Sequence, residues 1–233
     1  MANFVLVHGA WVGGWCWRPV AQALRRSGHE VYTPTLTGLG ERSHLINPNI
    51  NLDTHISDVT NVIYREELSE VVLVGHSYGG MVISGVFDAL SDKITSLVYL
   101  DAFVPENGQS LHNILPLLRL VSPDGASTTA PLSAAIFGAS PDVAEYVDAR
   151  TTPHPTACFN QTITLTGGID RARKKTYIYA NALEPTAFTP FYEKFKELPG
   201  WIVHTLPCTH LVQMDMPNEL ATLLLQAIGP AGR

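Results

Sequence analysis

Residues 71–80 read VVLVGHSYGG, and this stretch decides the fold. An apolar, mostly β-branched run leads into a Gly-x-Ser-x-Gly motif, and residues 81–90 continue with a helical pattern. Strand, sharp turn and helix form the context that a nucleophile elbow requires. Gly75 and Gly79 have no Cβ atom to clash where the strand and the helix approach each other. We therefore predict that Ser77 ends a buried strand, with a strained backbone and an accessible hydroxyl.

Two backbone N–H groups are candidates to bind an oxyanion near this serine. Tyr78 begins the predicted helix, and amides at a helix start point towards anions. The second candidate is Ala10, in the glycine-rich loop HGAWVGGW (residues 8–15) that follows the apolar run of residues 4–7. Such a loop turns N–H groups inwards after the first strand of an acyl-transfer enzyme. A plain connection between a strand and a helix is the alternative interpretation of this loop.

A serine hydroxyl needs a base to take its proton, and the base needs an acid to orient it. His210 follows the last predicted strand, residues 201–206, and is the predicted base. Two carboxylates are candidates for the acid. Asp101 directly follows the apolar strand of residues 96–100, whereas Glu184 lies several residues beyond the strand of residues 177–180. We prefer Asp101 and keep Glu184 as the alternative.

Strands and helices alternate along most of the chain, which predicts a parallel sheet with helices on both faces. Asp53 is the predicted N-cap of a helix that runs to residue 67. The alternation stops over residues 104–173, where prolines separate short helical stretches such as residues 111–120 and 141–149. We interpret this segment as an inserted, mostly helical cap, and residues 1–103 and 174–233 as the core. Apolar residues that could line a pocket, although each also suits ordinary packing, are Trp11, Phe103, Leu111, Ile114, Phe137, Phe159 and Leu211.

The composition indicates the number of domains and argues against some classes of partner. The chain has 233 residues, a net charge of −6 and 45% hydrophobic residues, which suits one domain and gives no reason to expect nucleic acid as a partner. Its three cysteines are widely spaced and predict free thiols, with no disulfide framework or metal site. We see no secretory signal and no apolar run that would span a membrane. These features favour a cytoplasmic address.

These motifs together are similar to those of one family. Residues 4–10 (FVLVHGA), 75–81 (GHSYGGM) and 98–105 (VYLDAFVP) resemble the α/β-hydrolase branch of plant methylesterases, hydroxynitrile lyases and bacterial serine esterases. The resemblance covers most of the sheet and only loosely the cap. It implies a six-stranded sheet, a small cap, Ser77 as nucleophile, His210 as base, and the amides of Ala10 and Tyr78 as oxyanion hole. Dimers are common in this branch, so the resemblance allows for a homodimer.

The chain also departs from that branch. The plant members carry their acid after the strand that matches residues 177–180, where this chain has no aspartate. Asp101 instead resembles the acid of the second haloalkane-dehalogenase arrangement, although Ser77 excludes the chemistry of those enzymes. The lyases place a lysine beside the base and a threonine in the first loop, where this chain has Leu211 and Ala10. The sequence thus predicts a cofactor-free serine carboxylesterase for small esters. The alternatives are a hydroxynitrile lyase and a hydrolase-fold receptor for a small ligand.

Overall fold

The computed structural model describes residues 1–123 and 125–228 of the chain. The strands in these ranges are β1 (Asn3–Val7), β2 (Glu30–Tyr32), β3 (Val71–Ser77), β4 (Ile94–Ala102), β5 (Thr128–Thr129), β6 (His154–Pro155), β7 (Lys175–Ala180) and β8 (Trp201–Leu206). Within the described chain, six of them form one sheet in the order β2-β1-β3-β4-β7-β8. Every neighbouring pair in that sheet is parallel. The short strands β5 and β6 form a separate antiparallel pair.

The helices of the described chain alternate with the sheet strands outside the region between β4 and β7. The α-helices are α1 (Arg18–Arg26), α2 (Leu52–Arg65), α3 (Gly79–Leu90), α4 (Leu111–Ile114), α5 (Pro141–Asp148), α6 (Ala157–Asn160), α7 (Thr189–Glu197), α8 (Val212–Asp215) and α9 (Pro217–Gln226). Short 3₁₀ helices cover Gly14–Trp17, Gly40–Leu45, Pro116–Leu120, Ala134–Phe137 and Ile169–Arg171. None of the helices in the described ranges is long and apolar enough to cross a membrane.

The predicted N-cap of α2 was wrong by two residues. Asn51 has the extended backbone of an N-cap, and its side chain accepts the N–H of Thr54 at 3.1 Å. The hydroxyl of Thr54 accepts the N–H of Asn51 in return, which completes a capping box. Asp53 lies in the first turn, where its negative charge favours the positive end of the helix dipole.

The sheet separates two hydrophobic clusters, because successive strand residues point to opposite faces. Val5 and Val7 of β1 belong to one cluster, whereas Phe4 and Leu6 belong to the other. The first cluster includes buried residues of α2, α3 and α7, and the second includes those of α1 and α9. Both faces of the sheet are therefore covered by helices. The predicted α/β-hydrolase fold, with a six-stranded sheet and helices on both faces, is confirmed.

Between β4 and β7 the chain leaves the sheet and forms short helices and the β5-β6 pair. The helical stretch predicted over residues 111–120 is divided, since α4 ends at Ile114 and a 3₁₀ helix begins at Pro116. Proline lacks the N–H that would continue an α-helix, and it disfavours helical backbone in the residue before it. This segment lies over the end of the sheet at which β3 and β4 terminate, because several of its residues share a cavity with Ser77.

Candidate active site

The nucleophile elbow has the strained geometry that its sequence predicts. Ser77 has a φ of +54°, a left-handed value that L-residues seldom adopt. A Cβ at Gly75 would lie 2.6 Å from the carbonyl oxygen of Gly79, and one at Gly79 would lie 2.8 Å from that of His8. Both positions therefore require glycine, and the prediction of a close approach at the turn is confirmed. Tyr78 follows as the N-cap residue of α3.

Two of the predicted site residues are joined by a short hydrogen bond. Nδ1 of His210 lies 2.7 Å from Oδ2 of Asp101, and the two side chains are 11% and 1% exposed. The other carboxylate oxygen of Asp101 accepts the N–H of Ala180 on the neighbouring strand at 3.2 Å. Asp101 lies within β4 with a φ of +40°, and this unusual backbone is a second strained point at the site. A carboxylate in this position orients the imidazole and stabilises its protonated form.

The ring of His210 is also held by packing. It stacks on Phe188, with ring centroids 4.7 Å apart and planes 9° apart, and its centroid lies 5.3 Å from that of Phe137. The loop before it is anchored by Asp215, whose carboxylate accepts the N–H of Thr209 at 3.0 Å. These contacts fix the direction of Nε2, the ring nitrogen that does not contact Asp101.

Ser77 and His210 line the same cavity, which has a volume of about 40 Å³. Ala10, in the first loop, is part of this lining, and so are three of the seven apolar candidates: Trp11, Phe137 and Leu211. Other residues that line it are Gly9, Val12, His76, Leu132, Ala134, Val147, Thr151 and Gln213. This lining contains no aspartate, glutamate, lysine or arginine. The cavity therefore offers mostly apolar walls around the hydroxyls of Ser77 and Thr151, the imidazoles of His76 and His210 and the amide of Gln213.

The four other apolar candidates are not in this lining. Leu111 and Phe159 are buried in the core cluster, and Ile114 packs against that cluster. Phe103 contacts the ring of Phe188 at 4.8 Å. Phe103 therefore supports Phe188, which in turn stacks on His210, and no local pattern of the sequence indicates this arrangement.

The alternative acid is far less enclosed than Asp101. Glu184 is exposed in the loop between β7 and α7. No hydrogen bond or ion pair of the described residues joins it to His210, whose Nδ1 is already bonded to Asp101. The geometry thus pairs Asp101, rather than Glu184, with the imidazole.

A second histidine in the cavity was not singled out as a site residue. His76 precedes the serine, is buried, and its Nε2 lies 2.8 Å from the carbonyl oxygen of His210. Its Nδ1 lies 3.5 Å from the side-chain nitrogen of Gln213. Burial, and secondarily the proximity of His210, hold the pKa of His76 well below 6.5. Both contacts span more than 130 residues of sequence, so no local pattern could have indicated them.

Within the described ranges, one group of three side chains could ligate a metal ion: His55, His154 and Cys158, whose donor atoms lie within 4.8 Å of one another. His55 already contacts the hydroxyl of Tyr78 and the carbonyl of Thr37, each at 2.9 Å. His154 accepts the N–H of Trp11 through Nδ1 at 3.4 Å. These contacts give His55 partners in Tyr78 and Thr37, and separately link His154 to the backbone of Trp11.

A family model described as alpha/beta hydrolase family matches residues 4–223, and the chain belongs to this family. It is 47% identical over 240 residues to a carbendazim hydrolyzing esterase of Nocardioides sp. (strain SG-4G), covering 96% of this chain and 98% of that one. It is 35% identical over 109 residues to methylesterase 8 of Arabidopsis thaliana, which is 46% of this chain and 40% of that one.

A solved structure gives the same result for the fold. An extracellular alpha/beta-hydrolase from a Paenibacillus species, described as sharing structural and functional homology with tobacco salicylic acid binding protein 2, superposes with a TM-score of 0.82. It is 26% identical, and the match covers 99% of this chain and 100% of that one. The predicted resemblance to the methylesterase-like branch is thus confirmed. The protein is a hydrolase, and its relatives identify it as a carboxylesterase.

Proposed function

We propose that Ser77 is the nucleophile of this esterase, His210 its general base and Asp101 the acid that orients His210. In the first step, Nε2 of His210 takes the proton of the Ser77 hydroxyl while its oxygen attacks the ester carbonyl. His210 then gives that proton to the departing alcohol, which leaves an acyl-enzyme. Water, deprotonated by His210, attacks the acyl group and releases the acid and the free serine.

The observation that carries this assignment is the joint position of the three residues. Ser77 and His210 face one cavity, and the far nitrogen of His210 is bonded to a carboxylate that is almost completely buried. That bond assigns the proton of the neutral imidazole to Nδ1 and leaves the lone pair on Nε2. A base with its lone pair towards the serine is what proton transfer requires.

We assign the oxyanion hole to the backbone N–H groups of Ala10 and Tyr78. Tyr78 begins α3, where the helix dipole adds to the attraction of its amide for negative charge. Ala10 lines the cavity beside Trp11, whose φ of +64° changes the direction of the loop at this point. Preorganised donors of this kind stabilise the tetrahedral intermediate by about 3–4 kcal/mol each.

The substrate class follows from the cavity walls. Because no formally charged side chain lines the cavity, we propose neutral esters with a small acyl group rather than esters that carry a free carboxylate. Residues 104–173 contribute Leu132, Ala134, Phe137, Val147 and Thr151 to these walls. We therefore retain the division into a core (residues 1–103 and 174–233) and a cap (residues 104–173). Of that core, residues 229–233 lie outside the described residues.

The Nocardioides relative is named for the hydrolysis of carbendazim, a methyl carbamate. We include carbamate esters among the proposed substrates, since the same acyl-transfer steps apply to them. A cytoplasmic address also remains a proposal. Its support is that Cys16, Cys158 and Cys208 are all free. Cell fractionation tests the address, and light scattering of the purified protein tests whether it forms the homodimer that the resemblance allows.

The test compares wild type and Ser77→Ala on p-nitrophenyl acetate, p-nitrophenyl octanoate and carbendazim. We expect acetate to be preferred over octanoate, and Ser77→Ala to lower kcat by a factor on the order of 10⁶, because triad members act as a unit. A serine-directed phosphonate should label the wild type and leave Ser77→Ala unlabelled. Ester turnover that survives in Ser77→Ala would refute the assignment.

A further inference from the structure

We propose that His76, the first variable residue of the Gly-x-Ser-x-Gly motif, is a positioning residue. It holds the loop of the proposed base His210 through the carbonyl of that residue, and Gln213 fixes the tautomer of His76. This inference rests on the proposed function, because it assigns a role with respect to His210. It concerns a side chain that faces the cavity without taking part in proton transfer.

The partner atoms of His76 determine where its proton lies. The carbonyl oxygen of His210 can only accept, so Nε2 of His76 carries the hydrogen and donates it over 2.8 Å. Nδ1 of His76 is then an acceptor, and it faces the side-chain nitrogen of Gln213 at 3.5 Å. A neutral imidazole satisfies both contacts at once. Neither ring nitrogen is left to act as a base towards Ser77.

The surroundings hold the ring of His76 in place. Its centroid lies 4.5 Å from that of His210, and the edge of Trp17 packs against it at a centroid distance of 6.4 Å. A Cβ at Gly9 would lie 3.1 Å from its Nδ1, so the first loop encloses it as well. His76 therefore links the turn at the end of β3, which carries Ser77, to the backbone of the loop that follows β8.

This link matters because Ser77 and His210 come from different parts of the fold. Ser77 ends a strand in the middle of the sheet, and the loop of His210 follows a strand at its edge. A hydrogen bond from the residue next to the nucleophile to the carbonyl of the base fixes the distance between the two. The burial that lowers the pKa of His76 also keeps it neutral when the adjacent His210 accepts a proton.

The test compares His76→Met with His76→Gln. Methionine has a similar length and no donor, whereas the amide of glutamine can still donate to the His210 carbonyl. We expect kcat on p-nitrophenyl acetate to fall about 10²-fold in His76→Met with KM within about twofold, because a misplacement of about 1 Å has effects of this size. In His76→Gln we expect most of that loss to be restored.

A second pair of variants tests the role of Gln213. Gln213→Met should lower kcat less than His76→Met does, and the double variant should be no slower than His76→Met, since Gln213 acts through His76. The matched control is His204→Gln, which changes a half-buried histidine on β8 away from the cavity, and its kcat should equal that of the wild type. The downfield proton resonance of the bond between His210 Nδ1 and Asp101 should shift or broaden in His76→Met and stay unchanged in His204→Gln.

The proposal is overturned if His76→Met keeps the wild-type kcat, or if His76→Gln is as slow as His76→Met. If His76→Met does not fold, Gln213→Met decides the question, and a wild-type kcat in that variant overturns the proposal. Phosphonate titration before each assay counts intact sites. A wild type that is labelled at Ser77 and depends on it, together with fully active His76 variants, would refute this inference and leave the proposed function standing.

Discussion

The histidines of this protein differ in what surrounds them. His210 lies at the cavity with one nitrogen bonded to a carboxylate. His8, His55, His76 and His154 are almost completely buried, and none has a hydrogen bond to a carboxylate among the described contacts. Burial lowers the pKa of all four. A carboxylate partner and access to the cavity thus distinguish the proposed base, His210, from the buried imidazoles that serve as neutral hydrogen-bonding supports.

The hydrogen-bond partners of His8 and His55 determine the tautomers of these two buried histidines. Leu36 donates its N–H to Nε2 of His8, whose Nδ1 then donates to the carbonyl of Gly9. The carbonyl of Thr37 accepts from Nε2 of His55, so the hydroxyl of Tyr78 must donate to Nδ1. The rings of His8 and His55 are satisfied only as neutral imidazoles. A charged form would lose an acceptor that a neighbouring donor requires.

The largest effect that separates the two kinds of histidine should come from removing the carboxylate. Asp101→Asn keeps an oxygen for the N–H of Ala180, but its amide favours the wrong tautomer of His210. We expect kcat to fall about 10⁴-fold, measured with p-nitrophenyl acetate. Glu184→Gln, the matched change at the exposed carboxylate, should leave kcat unchanged. The pairing of acid and base would be wrong if the two variants showed the reverse.

A smaller effect should appear in the pH dependence of stability. The pKa values of His8 and His55 are lowered by burial from 6.5 to about 4. The unfolded chain binds these protons near pH 6.5 and the folded chain does not, so their contribution is complete above that pH and is lost as the pH falls towards 4. We expect the free energy of unfolding to decrease by about 2 kcal/mol per histidine between pH 7 and pH 5.

Urea titrations at a series of pH values measure this decrease. His8→Gln supplies the control, because its amide can replace both hydrogen bonds and does not titrate. The slope of unfolding free energy against pH should be smaller in this variant by about 1.2 kcal/mol per pH unit between pH 6 and pH 5. An unchanged slope would mean that His8 titrates alike in the folded and unfolded chain.

The smallest loss of kcat should follow from Tyr78→Phe, which removes a single hydroxyl. His55 would lose the donor to Nδ1 while remaining buried, and an unsatisfied buried acceptor destabilises by about 1–3 kcal/mol. The backbone N–H of residue 78 stays in place, so the loss of kcat should be far smaller than in Asp101→Asn. Thermal unfolding and steady-state assays of the same preparation measure both quantities. A loss of kcat as large as that of Asp101→Asn would mean that this hydroxyl serves catalysis.

Much of the fold could be predicted from the sequence because its signals are local. Buried parallel strands appear as short apolar runs, and the elbow needs glycine at two fixed positions around Ser77. The predicted parallel strands also placed Ser77, Asp101 and His210 at one end of the sheet, because each of these residues lies at or after the carboxyl end of its strand. Between β4 and β7, where prolines interrupt short helices, local patterns could not show which side chains face the cavity.

The residues that hold His210 in place could not be recognised from such local patterns. Phe188 and His76 contact His210 from other elements of the fold, and Gln213 contacts the ring of His76. No local pattern of the sequence indicates these contacts. The N-cap of α2 was misplaced for a different reason. Asn51 and Asp53 are both good capping residues, and only the backbone geometry decides between them.

The position of β8 at the edge of the sheet has a consequence for how the protein would lose activity during unfolding. In the described sheet this strand has a neighbour on one side only, yet the loop after it supplies His210. Edge strands open at a lower free energy than central ones. With rising urea, ester turnover should therefore be lost before far-ultraviolet circular dichroism shows unfolding. The molecule would pass through a state that keeps most of its secondary structure and has no esterase activity.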